Sequence, residues 1–103
     1  MNIQNLMQQA QKMQKKMTKL EEEFKLRKFN TEAGGGVVKV EMSGDMKLTN
    51  ISINDELINS DDKDMLQDLF IAAVNQSIET VRKEKEKEMS KIVGKTGGLP
   101  GLF

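Results

Sequence analysis

The sequence predicts an α+β fold in which two long helices flank a small antiparallel sheet. Three patterns carry that expectation: a heptad seam near the start, strict alternation of apolar and polar residues in the middle, and a broad apolar stripe after residue 60. In the first, Ile3, Leu6, Ala10, Met13, Met17, Leu20 and Phe24 are spaced alternately three and four apart. Held over three heptads with Gln, Lys and Glu between, this predicts an amphipathic helix over 2–26, a rod of roughly 36 Å. A two-residue seam is narrow, so at least the distal half of the rod needs one partner helix rather than a broad core.

From Phe29 the period changes to two. Val37, Val38, Val40 and Met42 alternate with Lys39, Glu41 and Ser43, which predicts a strand over 36–43. Ser43-Gly44-Asp45 is a short turn whose glycine can take positive φ, and Met46, Leu48, Ile51 and Ile53 return as a strand over 46–54. Parity breaks between Leu48 and Ile51, which calls for either a bulge near Thr49-Asn50 or a strand end buried on both faces. Residues 28–34 form a preceding strand, with Gly34-Gly35-Gly36 as the corner that turns the chain back.

Asn59-Ser60-Asp61-Asp62 opens the second long helix, 61–92, with capping side chains and with carboxylates at 61, 62 and 64 favoured by the helix dipole. Leu66, Leu69, Phe70, Ala73, Val74, Ile78 and Val81 make the stripe that packs on the sheet. Beyond Val81 the apolar positions thin to Met89 while Lys and Glu alternate, so this half is expected to project past the sheet as a solvated extension. Gly94, Gly97, Gly98, Pro100 and Gly101 end it, giving one domain over 1–93 and a flexible glycine-rich tail over 94–103 tipped by Leu102 and Phe103.

Composition removes most chemistry. With 103 residues there is room for one thin core, and with no Cys and no His there is no thiolate, imidazole or common zinc chemistry. Gly94-Lys95-Thr96 lacks the earlier glycine of a phosphate-binding loop, since Met89 stands there, and the triple glycine precedes a strand instead of opening a helix. Asp61, Asp62 and Asp64 lack the glycine and closing glutamate of a calcium loop, and no serine has a histidine to activate it. The expectation is a protein without enzymatic activity, cofactor, metal or small-molecule substrate. Nor is there an apolar run long enough to span a membrane or an h-region for secretion, which favours a cytoplasmic protein.

Net charge is zero, but its distribution is uneven: residues 1–28 carry +4, 29–60 carry −3, 61–81 carry −4 and 82–103 carry +3. If the two ends lie together, they form one basic patch, the electrostatic footprint of a phosphate-binding surface. A pair of solvated, solubilising helix faces is the simpler alternative. Four Phe and no Trp or Tyr offer little for stacking on single-stranded bases.

Three stretches carry a family resemblance: Leu6-Met7-Gln8-Gln9-Ala10-Gln11-Lys12-Met13-Gln14, then Ala33-Gly34-Gly35-Gly36-Val37-Val38-Lys39-Val40, then Asp64-Met65-Leu66-Gln67-Asp68-Leu69-Phe70-Ile71-Ala72-Ala73-Val74-Asn75. Together with 55–58 and the glycine-rich 97–101, the chain resembles the YbaB/EbfC family of nucleoid-associated DNA-binding proteins along nearly its whole length. The resemblance implies an α-β-β-β-α protomer that pairs through its sheet into a tweezer-like homodimer, with projecting helices around double-stranded DNA and an effect on gene expression. The family has no compact motif to carry over, so the candidate DNA-binding residues come from charge. They are Lys12, Lys15, Lys16 and Lys19 on the first arm, Lys25, Arg27 and Lys28 at its base, and Arg82, Lys83, Lys85, Lys87 and Lys91 on the second arm. Where family members carry an acidic or polar run, this chain has Phe24-Lys25-Leu26-Arg27-Lys28. A prefoldin-like or adaptor protein gripping protein clients between helical arms is the competing plan, weakened because the second arm lacks a continuous apolar seam.

Overall fold

The computed structural model describes residues 2–58 and 61–95. Its elements run α1 (Ile3–Phe24), β1 (Lys28–Ala33), β2 (Val38–Ser43), β3 (Leu48–Ile53), α2 (Asp55–Ile58) and α3 (Lys63–Lys95). This is the expected helix–three strands–helix order, with one short helix added. The strands form an antiparallel meander in the order β1-β2-β3, so β2 is central and β1 and β3 are edges.

Local chemistry accounts for each boundary. The Asn2 side chain accepts the Gln4 N–H at 3.0 Å, satisfying one of the free donors at the start of α1. Gly34, Gly35 and Gly36 all have positive φ, and only glycine enters three such residues in succession without strain. The β2–β3 turn differs from expectation: its positive φ falls on Met46, at 62°. Gly44 is required for space instead, because a Cβ there would collide with the Phe24 carbonyl oxygen. The parity break resolves as a bulge. Glu41 pairs with Asn50 and Met42 with Leu48, leaving Thr49 as the extra residue, and its hydroxyl donates to the Glu41 carbonyl at 3.2 Å.

The short α2 follows β3 directly. The Asn54 side chain accepts the Glu56 N–H at 2.9 Å, and its carbonyl accepts from Leu57 and Ile58. Asn59 and Ser60 lie outside the described residues, and the side chain that caps α3 is Asp62, which accepts the Met65 N–H at 2.9 Å. Asp61 therefore precedes the helix rather than sitting in its first turn. At the other end α3 runs through Gly94 to Lys95, past the expected end at 92; the expected tail beyond it falls outside the described residues.

The core has two parts under α3. Val38, Val40, Leu57 and Ala73 form one, joined by the half-buried Leu66, Leu69, Phe70 and Ile53; Phe24, Phe29, Met42 and Val81 form the other, at the base of α1. Between them the α3–β1 contact is polar. Thr31 donates its hydroxyl to the Ala73 carbonyl at 3.1 Å and receives the hydroxyl of fully buried Ser77 in turn. The radius of gyration is 19.7 Å, against about 13 Å for a compact chain of this length. Much of both long helices therefore lies beyond the core, and the molecule measures 70 × 23 × 15 Å.

Candidate nucleic-acid interface

Successive residues of a helix turn by about 100°, so Lys12, Lys15, Lys16 and Lys19 fall within an arc of about 100° on α1. The apolar seam lies on another side, and all four lysines are exposed. Lys15 and Lys19 share one open depression along the helix with Gln11, Gln14, Thr18 and Glu22. Its lining sets two cations one turn apart with amide and hydroxyl groups between them and one carboxylate, Glu22, at its end, so a phosphate could be met by charge and by hydrogen-bond donors only along the Lys15–Lys19 stretch.

The second half of α3 comes back alongside α1. Val81 packs with Phe24, and Ile92 lines a groove with Lys16, Lys19, Leu20 and Glu23. The extension is not solvated all round, as the sequence suggested: Glu84, Lys85, Glu88, Met89, Ile92 and Val93 are half-buried. Mixed side chains, with long Lys and Glu stems, take the place of a regular apolar seam. Lys85 thus lies on the half-buried side, whereas Arg82, Lys83, Lys87 and Lys91 are exposed. The two basic ends of the chain are brought to one arm.

Acidic partners divide the twelve candidates. Lys19 pairs with Glu23 at 4.0 Å, Arg82 with Glu79 at 2.7 Å, Lys91 with Glu88 at 3.2 Å and Arg27 with Glu84 at 3.9 Å. Among the described residues, no ion pair engages Lys12, Lys15, Lys16, Lys25, Lys28, Lys83, Lys85 or Lys87. Lys25 caps the end of α1 and Lys28 begins β1, both exposed at the base of the arm.

Arg27 has a second set of contacts that charge counting did not suggest. Its guanidinium carbon lies 5.4 Å from the Phe24 ring centre and 4.9 Å from that of Phe29, and the two rings are 5.4 Å apart. The arginine lies over the aromatic joint where α1 meets the sheet. Its spacing from those rings, three and two residues, was the available signal.

The acidic residues of the first half of α3 are remote. From Asp68 to Arg82 the helix rises about 21 Å, more than twice the screening length of roughly 8 Å at physiological salt. They therefore do little to repel an anion at the arm. Among the described residues no cluster could hold a metal ion, and no helix is long and apolar enough to cross a membrane.

Comparison with known proteins agrees with this geometry. Residues 1–96 match the model of the YbaB/EbfC DNA-binding family. A nucleoid-associated protein of Acetivibrio thermocellus is 45% identical over 102 residues, spanning 99% of this chain and 90% of the relative. Another, from Clostridium novyi, is 46% identical over 105 residues, covering 100% and 90%. The crystal structure of an uncharacterised protein from Helicobacter pylori superposes with a TM-score of 0.77 at 26% identity, over 90% of this chain and 98% of that one. By family model and curated relatives, the chain belongs to the YbaB/EbfC DNA-binding family.

Proposed function

We propose that this protein is a non-enzymatic, cytoplasmic nucleoid-associated protein that grips duplex DNA as a homodimer, using the basic residues of its α1–α3 arms. One observation carries the reading: Lys12, Lys15, Lys16 and Lys19 share one exposed arc, three of them without an ion pair, on the arm that also bears Lys83 and Lys87. Such a row binds phosphates by displacing condensed counterions, which gives salt-sensitive affinity and little sequence readout. Lys25 and Lys28 add positive charge at the arm's base, while Lys19, Arg82 and Lys91 exchange a glutamate partner on their own helix for a phosphate. Double-stranded DNA is favoured over single strands because Phe24 and Phe29 are buried and Phe70 half-buried, so among the described residues no phenylalanine is exposed for stacking. With little sequence readout, its effect falls on nucleoid organisation and on many genes at once.

The sheet supports pairing. α3 covers β1 and β2, while Leu48 and Ile51 of β3, on the same face as Met42 and Val40, remain 43% and 40% exposed. A second protomer laid on this face removes that apolar surface from water and doubles the number of arms. Addition of a short duplex to isotope-labelled protein, followed by backbone amide spectra, tests the reading. Shifts concentrated at 12–19 and 83–91 are expected; shifts confined to the sheet, or none at low salt, would overturn it.

A further inference from the structure

We infer that α1 enters the major groove of the bound duplex and that Gln4, Gln8 and Gln11 read adenines there. The inference rests on the DNA reading above and adds sequence selection to it. Gln4, Gln8, Gln11, Lys15 and Thr18 follow one another at intervals of four, three, four and three residues, so they form a stripe along one side of α1. At about 100° per residue, this stripe lies roughly 150° round the helix from the apolar seam. α3 lies on the seam side, where Val81 packs on Phe24 and Ile92 shares a groove with Leu20. The stripe is therefore on the far side of the arm, and all five of its residues are exposed. A major groove about 12 Å wide and about 8.5 Å deep admits one helix of about 10–12 Å diameter. With α3 behind it, α1 can enter only by its outer half, which is the half that carries the stripe. Lys12, Lys16 and Lys19 lie roughly 90° to one side, so the insertion that sets amides against base edges sets these cations against a groove wall of phosphates.

The chemistry of the stripe selects the base. Residues 2–11 contain no Lys, Arg, Asp or Glu, so the groove-facing groups there are neutral. A glutamine amide presents a donor and an acceptor side by side, which matches the N7 acceptor and the N6 amino donor of adenine in the major groove. Gln4 to Gln11 spans about 10.5 Å of helix, or about three base-pair steps of ~3.4 Å, so the three amides meet neighbouring bases. Glu22 follows Thr18 by four residues, in line with the stripe, and its carboxylate ends the surface that an anionic duplex can approach. The lysines supply most of the affinity and read no sequence; the amides add a modest preference for duplexes that offer adenines in the right frame.

The test alters one acceptor on the base and leaves every phosphate in place. Affinity for an A·T-rich duplex is compared with affinity for the same duplex carrying 7-deazaadenine, which removes N7 from the major groove and keeps pairing and charge. Wild type should bind the substituted duplex about fivefold more weakly, or worse. A Gln4→Ala, Gln8→Ala, Gln11→Ala variant should bind the two duplexes within about twofold of each other and keep the salt slope of wild type, since alanine sustains the helix and no charge is lost. Equal binding of both duplexes by wild type, or a preference that survives the three alanines, would overturn the groove reading while leaving phosphate binding by the arm intact. A slope flattened by the alanines would overturn it too, because the loss would then lie in the lysine row. Failure of wild type to bind the unsubstituted duplex at low salt would instead defeat the DNA reading on which the inference rests.

Discussion

Arg27 gives the sharpest test of how the arm is held. Its guanidinium lies within 5.4 Å of two phenylalanine ring centres and 3.9 Å from Glu84, with the Arg27 side chain 47% and the Glu84 side chain 35% exposed. A cation–π contact at a partly exposed site contributes about 0.5–1 kcal/mol, and two are present. An ion pair this long and this wet adds no more than about 0.5 kcal/mol. Arg27→Gln should therefore destabilise the fold by about 1–2 kcal/mol, a fall in midpoint temperature of roughly 4–12 °C. Arg27→Lys keeps the charge but loses the planar stack, and should forfeit about half of that. Urea and thermal unfolding at one fixed protein concentration measure both, because a dimer's apparent stability depends on concentration. A double-mutant cycle with Glu84→Gln should give a coupling below about 0.5 kcal/mol, with most of the loss remaining when Glu84 is absent. If Arg27→Gln unfolds within about 0.3 kcal/mol of wild type while the salt slope of DNA binding drops by about one per arginine, the guanidinium serves a phosphate and not the joint.

Other consequences follow from single contacts. Gly44→Ala should cost several times the ordinary ~0.5 kcal/mol of a loop substitution, because the methyl enters the Phe24 carbonyl and either β2–β3 or the end of α1 must move; near-neutral unfolding energetics would contradict that packing. Thr31→Val should cost about 1–3 kcal/mol by leaving the buried Ser77 hydroxyl without its partner, and adding Ser77→Ala should recover part of it. The hydrogen bond from Ser43, helped by Lys47, holds the Asp45 carboxyl below its ordinary range. A depressed carboxylate stabilises the fold above its unfolded-state pKa, and that contribution is lost as pH falls through the folded-state value. The carboxyl of Asp45 should accordingly titrate below the ordinary carboxylate range, and Ser43→Ala should move it back toward that range.

Patterns that repeat were legible in the sequence; contacts between distant residues were not. The heptad spacing marks α1 because every seam position falls on the same side of the helix, and the alternation of 37–43 marks β2 because one face is buried along its length. The bulge at Thr49 was legible for the same reason, since a broken parity needs an extra residue. By contrast, α2 is a single turn, too short for periodicity, and only Asn54 followed by Asp55 and Glu56 advertised it. Gly44 reads as a turn glycine in sequence, whereas its real constraint comes from Phe24, twenty residues earlier. Lys85 and Lys87 look alike along the chain, but helical geometry turns Lys85 to the half-buried side and Lys87 to solvent. Arg27 contributes to the charge total like any other cation, and only the folded joint sets it over two rings and beside Glu84.

The central claim is that the arm binds DNA by neutralising phosphates, and the salt dependence of affinity reads it most directly. Wild type and a Lys12→Gln, Lys15→Gln, Lys16→Gln, Lys19→Gln variant would be titrated onto a mixed-sequence duplex at a series of salt concentrations. With six to eight phosphate contacts in a dimer, wild type should show a log–log slope of about −5 to −7. The variant should remain folded and flatten that slope by about 3 or more. A slope near zero for wild type, or an unchanged slope in the variant, would contradict the account.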